Sequence, residues 1–317
     1  MPSSKARVVV IGTGGTIAGT AARPQDHVGY KAGALTVADL LAAVPALAGQ
    51  AIEAESLAQL DSCDMDHATW VRLALAVQRH LARPEVAGLV ITHGTDTLEE
   101  TAFFLHHTVR ARKPVVLTAA MRPATAPSPD GPQNLLDAVT LARGRGVRGV
   151  LAVLGGTVHA GCEVRKVHGY RVDAFSSGDA GPLALLQDGA MRRCRDWPAA
   201  TAAGCAAALS VDPEHWPVVE IVTSHAGARG ATVDALVKAG ARGLVLAGTG
   251  NGSVHASLLQ AARRAAAKGV LVWRASRCLL GGVVGTPADA LPSAGDATPA
   301  QARVLLLLEL LELLRQG

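Results

Sequence analysis

Aromatic residues are scarce: Phe, Trp and Tyr together make up 3% of the 317-residue chain. A surface that reads single-stranded nucleic acid needs stacking platforms, and this chain has few to offer. No basic block compensates. The formal net charge is +4, with lysines and arginines spread along the chain, which argues against a nucleic-acid groove. Cysteine is sparse and unpatterned. Cys63, Cys162, Cys194, Cys205 and Cys278 are odd in number, and no two form a CxxC pair. Neither a disulfide framework nor a zinc site is expected; reduced thiols are, with Cys162 and Cys278 as packing residues rather than nucleophiles. Long apolar runs are missing too. The N-terminal MPSSKARVVVIG has no extended apolar stretch ahead of a small-residue cleavage site, and Val8–Ile11 is too short to span a bilayer. Near the other end, VLLLLELLELL is interrupted by Glu309 and Glu312 and reads as a buried amphipathic helix. No membrane partner and a cytoplasmic location are expected.

What is abundant is aliphatic. Hydrophobic residues make up 49% of the chain, mostly Ala, Val and Leu, enough for a large core without aromatics. Short β-branched runs alternate with helical spacing. Strands are predicted at Val8–Ile11, Gly88–Thr92, Pro114–Thr118, Gly149–Leu154, Val218–Thr223, Gly243–Ala247 and Val270–Trp273. Helices are predicted at Thr36–Val44, with Thr36 as N-cap, and at Trp70–Leu81, Leu98–Arg110 and Gln133–Arg143. Two more follow, from about Thr232 and through Lys268. Nearly continuous apolar strands separated by helices imply a mostly parallel sheet covered on both faces. Around Ala190–Pro217 prolines and charges break the period. The expected organisation is an α/β catalytic domain over 1–195 with a flavodoxin- or Rossmann-like sheet, a linker over 196–216, and a smaller α/β domain over 217–317.

Ligands in open parallel sheets bind beyond the carboxyl ends of the strands. Polar clusters follow three predicted strands: Thr13–Thr16, Thr92–Thr97 and Ala119–Pro123. In the first, GTGGTIAGT, Gly12 and Gly14 fit two positions of a dinucleotide fingerprint, but the third falls on Ile17. No Gly-Lys-Ser/Thr closes a P-loop either, so nucleotide binding is disfavoured. Two readings stay open: the glycines clear space around a nucleophilic hydroxyl, or Thr13 and Thr16 bond local backbone. The second cluster, HGTDT at 93–97, is denser in hydroxyls and charge than a helix cap requires. Glu99, Glu100 and Thr101 are expected on the helix face. Lys166 is a candidate base, although spacing alone does not pair it with Thr95. His67, His80, His106, His107, His159, His168 and His225 form no HExxH or other metal spacing and are expected to be structural. No G-x-S-x-G elbow is present.

TGGTIAG (Thr13–Gly19) and HGTDTLEETAFFL (His93–Leu105), followed by KPVVLTAAMRP and DGPQNLLDAV, carry a resemblance to the bacterial L-asparaginase family of threonine amidohydrolases. It runs from about Arg7 to Leu306. The resemblance implies Thr16 as nucleophile, Tyr30 as a mobile-loop partner, and Thr95 as a second essential threonine bonded by Lys166. It implies Ser62 at the substrate α-carboxylate and Asp96 at its α-amino group. The Ala120 carbonyl would orient the scissile amide, and His93 would support the signature loop. The loop from about Ala18 to Gly33 would close over the substrate. Two departures stand out. Cys63 occupies a position where the family often has glutamine. No glutamate lies between Arg277 and Ala302, where family members place one reaching into a neighbouring site; Asp289 is the candidate substitute. Ser253 could support the amino-group pocket. The family further implies L-asparagine as substrate, no metal or organic cofactor, and a homotetramer assembled as a dimer of dimers. The rivals are an amino-acid-binding sensor on the same fold, a broader glutaminase-asparaginase, and the asparaginase-like subunit of a tRNA-dependent amidotransferase. The last would need an additional N-terminal module.

Overall fold

The structure, a computed structural model, describes residues 6–26, 28–199, 206–285 and 290–316. The chain divides into two compact units, Met1–Gly204 and Cys205–Gly317. In the first, the elements in chain order are β1 (Arg7–Gly14), α1 (Val37–Ala42), β2 (Ile52–Leu60), α2 (His67–Leu81) and β3 (Val86–Thr92). Then come α3 (Leu98–Thr108), β4 (Pro114–Thr118), α4 (Gly131–Ala142), β5 (Gly149–Leu154) and β6 (Thr157–Ala160). The unit ends with β7 (Arg165–Lys166), β8 (Phe175–Ser176), β9 (Ala184–Gln187) and β10 (Ala190–Arg193). Eight strands form one sheet in the order β10-β9-β6-β5-β4-β3-β1-β2, and β7 and β8 make a separate antiparallel pair. Neighbours from β2 to β5 are parallel; β5, β6, β9 and β10 are antiparallel.

The parallel part therefore reads 2-1-3-4-5, the flavodoxin-like order. Its strand order reverses between β1 and β3, so their carboxyl ends flank the natural crevice. The central strands are apolar because both faces are covered: Val8–Ile11, Leu89–Ile91 and Val115–Leu117 are 0% exposed. Thr36 caps α1 as expected. Its hydroxyl accepts from Asp39 N while the Asp39 carboxylate accepts from Thr36 N, a reciprocal capping box. The helix is shorter than its sequence pattern, because Pro45 cannot continue it.

The strands missed by sequence lie toward the two margins of the sheet. β2 is an edge strand carrying Glu53 and Glu55, whose carboxylates receive Arg83 at 2.9 Å and both Arg79 at 2.7 Å and His80 at 2.6 Å. Every residue of β10 is exposed, so no apolar alternation marks it.

The second unit comprises β11 (Val219–Thr223), α5 (Ala231–Lys238), β12 (Gly243–Gly248), α6 (Ala256–Ala266), β13 (Leu271–Ser276) and α7 (Pro299–Gln316). β11, β12 and β13 form a three-stranded parallel sheet in sequence order. A core of Leu244, Leu246, Val233, Leu258, Ala261 and Val272 sits between the sheet and α5 and α6. α7 buries Leu306, Leu307 and Leu311 but leaves Leu313 and Leu314 exposed in its last turn. Among the described residues no helix is long and apolar enough to cross a membrane. Cys162 is partly buried against the first core, whereas Cys278 is exposed. The packing role expected of Cys278 is thus corrected: it lies exposed in the loop after β13.

Candidate active site

Two glycine-bearing turns meet at the β1/β3 switch point. A Cβ on Gly15 would lie 2.3 Å from Gly94 Cα, and one on Gly94 would lie 2.4 Å from Ser62 Oγ. At Gly15 backbone therefore touches backbone, and at Gly94 it touches the Ser62 side chain, approaches that only residues without side chains allow. Gly15 also has φ of 81°, a left-handed conformation that L side chains rarely adopt. Thr16 and Thr95 each follow one member of this touching pair. We expect Gly15→Ala to destabilise the first unit by about 3 kcal/mol, combining clash with backbone strain. Gly29→Ala, where a Cβ meets nothing within 4 Å, should stay within about 0.5 kcal/mol of the parent. Equal denaturant midpoints for the two variants would contradict this.

Thr16 opens a single 3₁₀ turn after β1 and is 5% exposed. Its Oγ1 lies 2.5 Å from the Tyr30 hydroxyl. Tyr30 comes from the loop expected to cover the site. That loop is pinned at its base: Thr20 and Lys31 exchange backbone hydrogen bonds of 3.0 and 2.9 Å, and Ala124 N donates to Gly19 O at 2.9 Å. A Cβ on Gly19 would lie 2.8 Å from the Tyr30 ring, so glycine there lets the ring reach Thr16. Burial raises the Tyr30 pKa, the Thr16 hydrogen bond opposes the rise, and the charges of Asp61 and Asp96 add to it. The phenol is therefore neutral at physiological pH. Thr13 bonds the backbone, donating to Thr92 O at 3.0 Å, and so ties β1 to β3.

The Lys166 ammonium donates to Thr95 Oγ1 at 2.9 Å and to Asp96 Oδ1 at 2.6 Å. It comes from the β7–β8 hairpin, some seventy positions away in sequence. Thr95 is 5% exposed, whereas the Asp96 side chain is 53% exposed. One carboxylate oxygen of Asp96 thus neutralises the lysine, and the group remains open to an incoming cation. Ser62 is buried; its Oγ accepts from Asp96 N at 3.1 Å and its carbonyl accepts from Thr97 Oγ1 at 2.7 Å. With its oxygen so engaged, the Ser62 hydroxyl proton is left to donate to an anion. Cys63 is exposed. Desolvation, then the charges of Asp61, Asp64 and Asp96, raise its pKa, so it offers a neutral thiol at the mouth of the site.

His93 is fully buried, and its Nδ1 lies 2.7 Å from Gly94 O. A carbonyl only accepts, so Nδ1 carries the proton and Nε2, which finds no partner, is a bare lone pair in the core. Burial holds its pKa down at about 4. Ala120, 0% exposed, follows β4. The adjacent carbonyl of Ala119 is held by Asn134 Nδ2 at 2.9 Å, and Asn134 Oδ1 accepts from Gly155 N at 2.9 Å. Ser253 belongs to the second unit, where it closes a turn by exchanging backbone bonds of 2.8 Å with Thr249. Asp289 lies outside the described residues. Glu99, expected on the helix face, lies in the first turn of α3, and its carboxylate also accepts from Lys166 N at 2.7 Å. No sequence signal marks that contact, because its partner is a backbone amide. Among the described residues no cluster of three His, Cys, Asp or Glu is arranged to hold a metal ion.

A threonine with a phenol at hydrogen-bond distance, and a second threonine wired to a lysine and a carboxylate, suits attack on a carbonyl carbon with relayed protons. Comparison with known proteins agrees. Residues 7–198 match the family model described as asparaginase, N-terminal, and residues 218–312 match the glutaminase/asparaginase C-terminal domain. L-asparaginase 2 of Bacillus subtilis is 37% identical over 311 residues, covering 95% of this chain and 81% of its own. L-asparaginase 2 of Escherichia coli is 37% identical over 317 residues, covering 96% and 88%. The crystal structure of a probable cytoplasmic L-asparaginase from Campylobacter jejuni superposes with a TM-score of 0.90 at 38% identity, covering 96% and 95% of the two chains. With both halves matched and the signature threonines joined in one site, the chain belongs to the asparaginase family.

Proposed function

We propose that the protein hydrolyses L-asparagine to L-aspartate and ammonia through an acyl-enzyme on Thr16. The observation that carries this reading is the Lys166 ammonium bonded at once to Thr95 Oγ1 and Asp96 Oδ1. Because Thr95 Oγ1 accepts from the lysine, the threonine's own proton is directed away from it, toward a substrate. Asp96 receives the α-amino group and the Ser62 hydroxyl binds the α-carboxylate. The neutral Cys63 thiol adds no negative charge beside that carboxylate, and the Ala120 carbonyl orients the amide.

Thr16 Oγ1 attacks the side-chain carbonyl carbon. A C–O bond forms, the C–N bond breaks, and the Thr16 proton passes to the Tyr30 oxygen as the neutral phenol releases its own proton to solvent. The departing nitrogen takes a proton from Thr95, resupplied by Lys166. Water then attacks the ester; its proton returns to the Thr95–Lys166 pair, and Thr16 recovers its own through Tyr30. The amides of Gly15 and Asp96 are already used, donating to Leu60 O at 2.9 Å and Ser62 Oγ at 3.1 Å, so oxyanion stabilisation falls to other donors of the two turns. Family likeness supports a homotetramer of two-fold dimers in the cytoplasm, with Asp289 the candidate for the residue that reaches into the neighbouring subunit's site.

The test is quantification of ammonia and aspartate released from L-asparagine, with an acid-quenched sample analysed by mass for an aspartyl adduct on the Thr16 peptide. Equimolar products and that adduct are expected; absence of aspartate would falsify the proposal. L-glutamine assayed in parallel measures the broader amidase reading that the C-terminal family description admits.

A further inference from the structure

We infer that Glu99 is a positioning residue for Lys166, clamping the lysine's backbone while Thr95 and Asp96 hold its ammonium. This rests on the proposed role of Lys166 in amide hydrolysis. The hairpin that bears the lysine is slight: β7 and β8 are two residues each and pair with each other outside the eight-stranded sheet. Within the hairpin it is Val167 N that donates across to Ala174 O, at 2.7 Å. In an extended strand successive amides point to opposite sides, so the Lys166 amide faces away from β8. The Glu99 carboxylate meets it there at 2.7 Å.

Glu99 lies in the first turn of α3, one helical turn beyond Thr95 and Asp96. A single short segment, 95–99, thus grips Lys166 at both ends: Nζ through two side chains and N through a third. The lysine side chain is long and flexible. Fixing its backbone relative to Thr95 shortens the range over which Nζ wanders. The carboxylate also sits at the positive end of the α3 dipole, a favourable place for a negative charge. Without it, the amide of a half-buried strand would lack a partner.

The test compares Glu99→Ala, which removes the acceptor, with Glu99→Gln, whose side-chain carbonyl keeps it. Glu99→Ala is expected to lower kcat for L-asparagine about 10- to 100-fold with KM within about twofold of the parent, since the loss falls on the proton relay rather than on binding. Glu99→Gln is expected to recover kcat to within about threefold. Hydrogen exchange at the Lys166 amide supplies a readout independent of turnover: slowed at least about tenfold in the parent and in Glu99→Gln, released in Glu99→Ala. A Lys166 amide exchanging at the free-peptide rate in the parent overturns the inference even if Glu99→Ala fails to fold. So does unchanged kcat in Glu99→Ala, or equal losses in both variants. A parent that releases no ammonia refutes the proposed reaction instead, and the exchange measurement still reports on the clamp.

Discussion

Thr16→Ala is expected to abolish measurable asparagine hydrolysis, with a fall of at least about 10⁴-fold in kcat. In the proposed mechanism the hydroxyl is the atom that forms the covalent bond, so nothing else in the site replaces it. Thr95→Ala should be comparably severe, because it removes the hydroxyl between Lys166 and the departing nitrogen and leaves the ammonium without one of its two acceptors. The double variant should be scarcely worse than either single one, since the two hydroxyls serve one reaction. Steady-state ammonia release for the three variants checks this. Multiplying losses would mean that the threonines act independently, and survival of activity in Thr16→Ala would transfer the nucleophile role elsewhere. Binding should outlast turnover. Ser62 and Asp96 are untouched in Thr16→Ala, so L-aspartate should still shift the thermal midpoint of that variant.

Acidification from pH 8 to pH 5 should lower the thermal midpoint of the first unit by about 10 °C. His93, His106 and His159 have pKa values held down at about 4 by loss of solvent, against about 6.5 in the unfolded chain. Between those values the unfolded state binds the extra protons. The stability contributed by neutral histidine is therefore complete above pH 6.5 and is lost as pH falls toward 4. Each group loses about 2 kcal/mol by pH 5 and about 3 kcal/mol by pH 4. Asp137, buried with a raised pKa, opposes this, because its protonation relieves a buried charge. Glu53 acts in a different window. Arg83 holds its carboxyl at about 2, so its contribution disappears only below pH 4.5. Melting curves at pH 8, 6.5 and 5 read the effect, and His159→Asn should remove roughly a third of the drop. A midpoint unchanged from pH 8 to 5 would contradict this account. In the folded protein His93 gains its second proton, at Nε2 beneath the turn that carries Thr95, only near pH 4, so any direct loss of activity through this turn should fall near that pH.

The central strands were legible because burial on both faces wrote itself as Val, Ile and Leu at successive positions, as in Val8–Ile11 and Val115–Leu117. β2 was not, since an edge strand with alternating Glu53 and Glu55 looks like solvated chain. The rule that ligands gather at the carboxyl ends of parallel strands pointed to Thr13–Thr16 and Thr92–Thr97 before any family likeness entered. Lys166 was different in kind. It reaches Thr95 across 71 positions from a hairpin of two-residue strands, and no periodicity encodes such a meeting. Glu99 was invisible for a complementary reason: its partner is a peptide amide, which every residue but proline possesses.

The contacts joining Gly14 to Leu60 and Gly15 to Gly94 are made by peptide backbone. The spacing of the reacting groups is accordingly set by peptide planes, which have few alternative positions, and not by rotamers, which have many. For anyone reshaping this pocket toward another amide, the centre is closed to gradual adjustment. The adaptable positions lie around the rim, where the exposed thiol of Cys63 can be exchanged without moving a single peptide of the site.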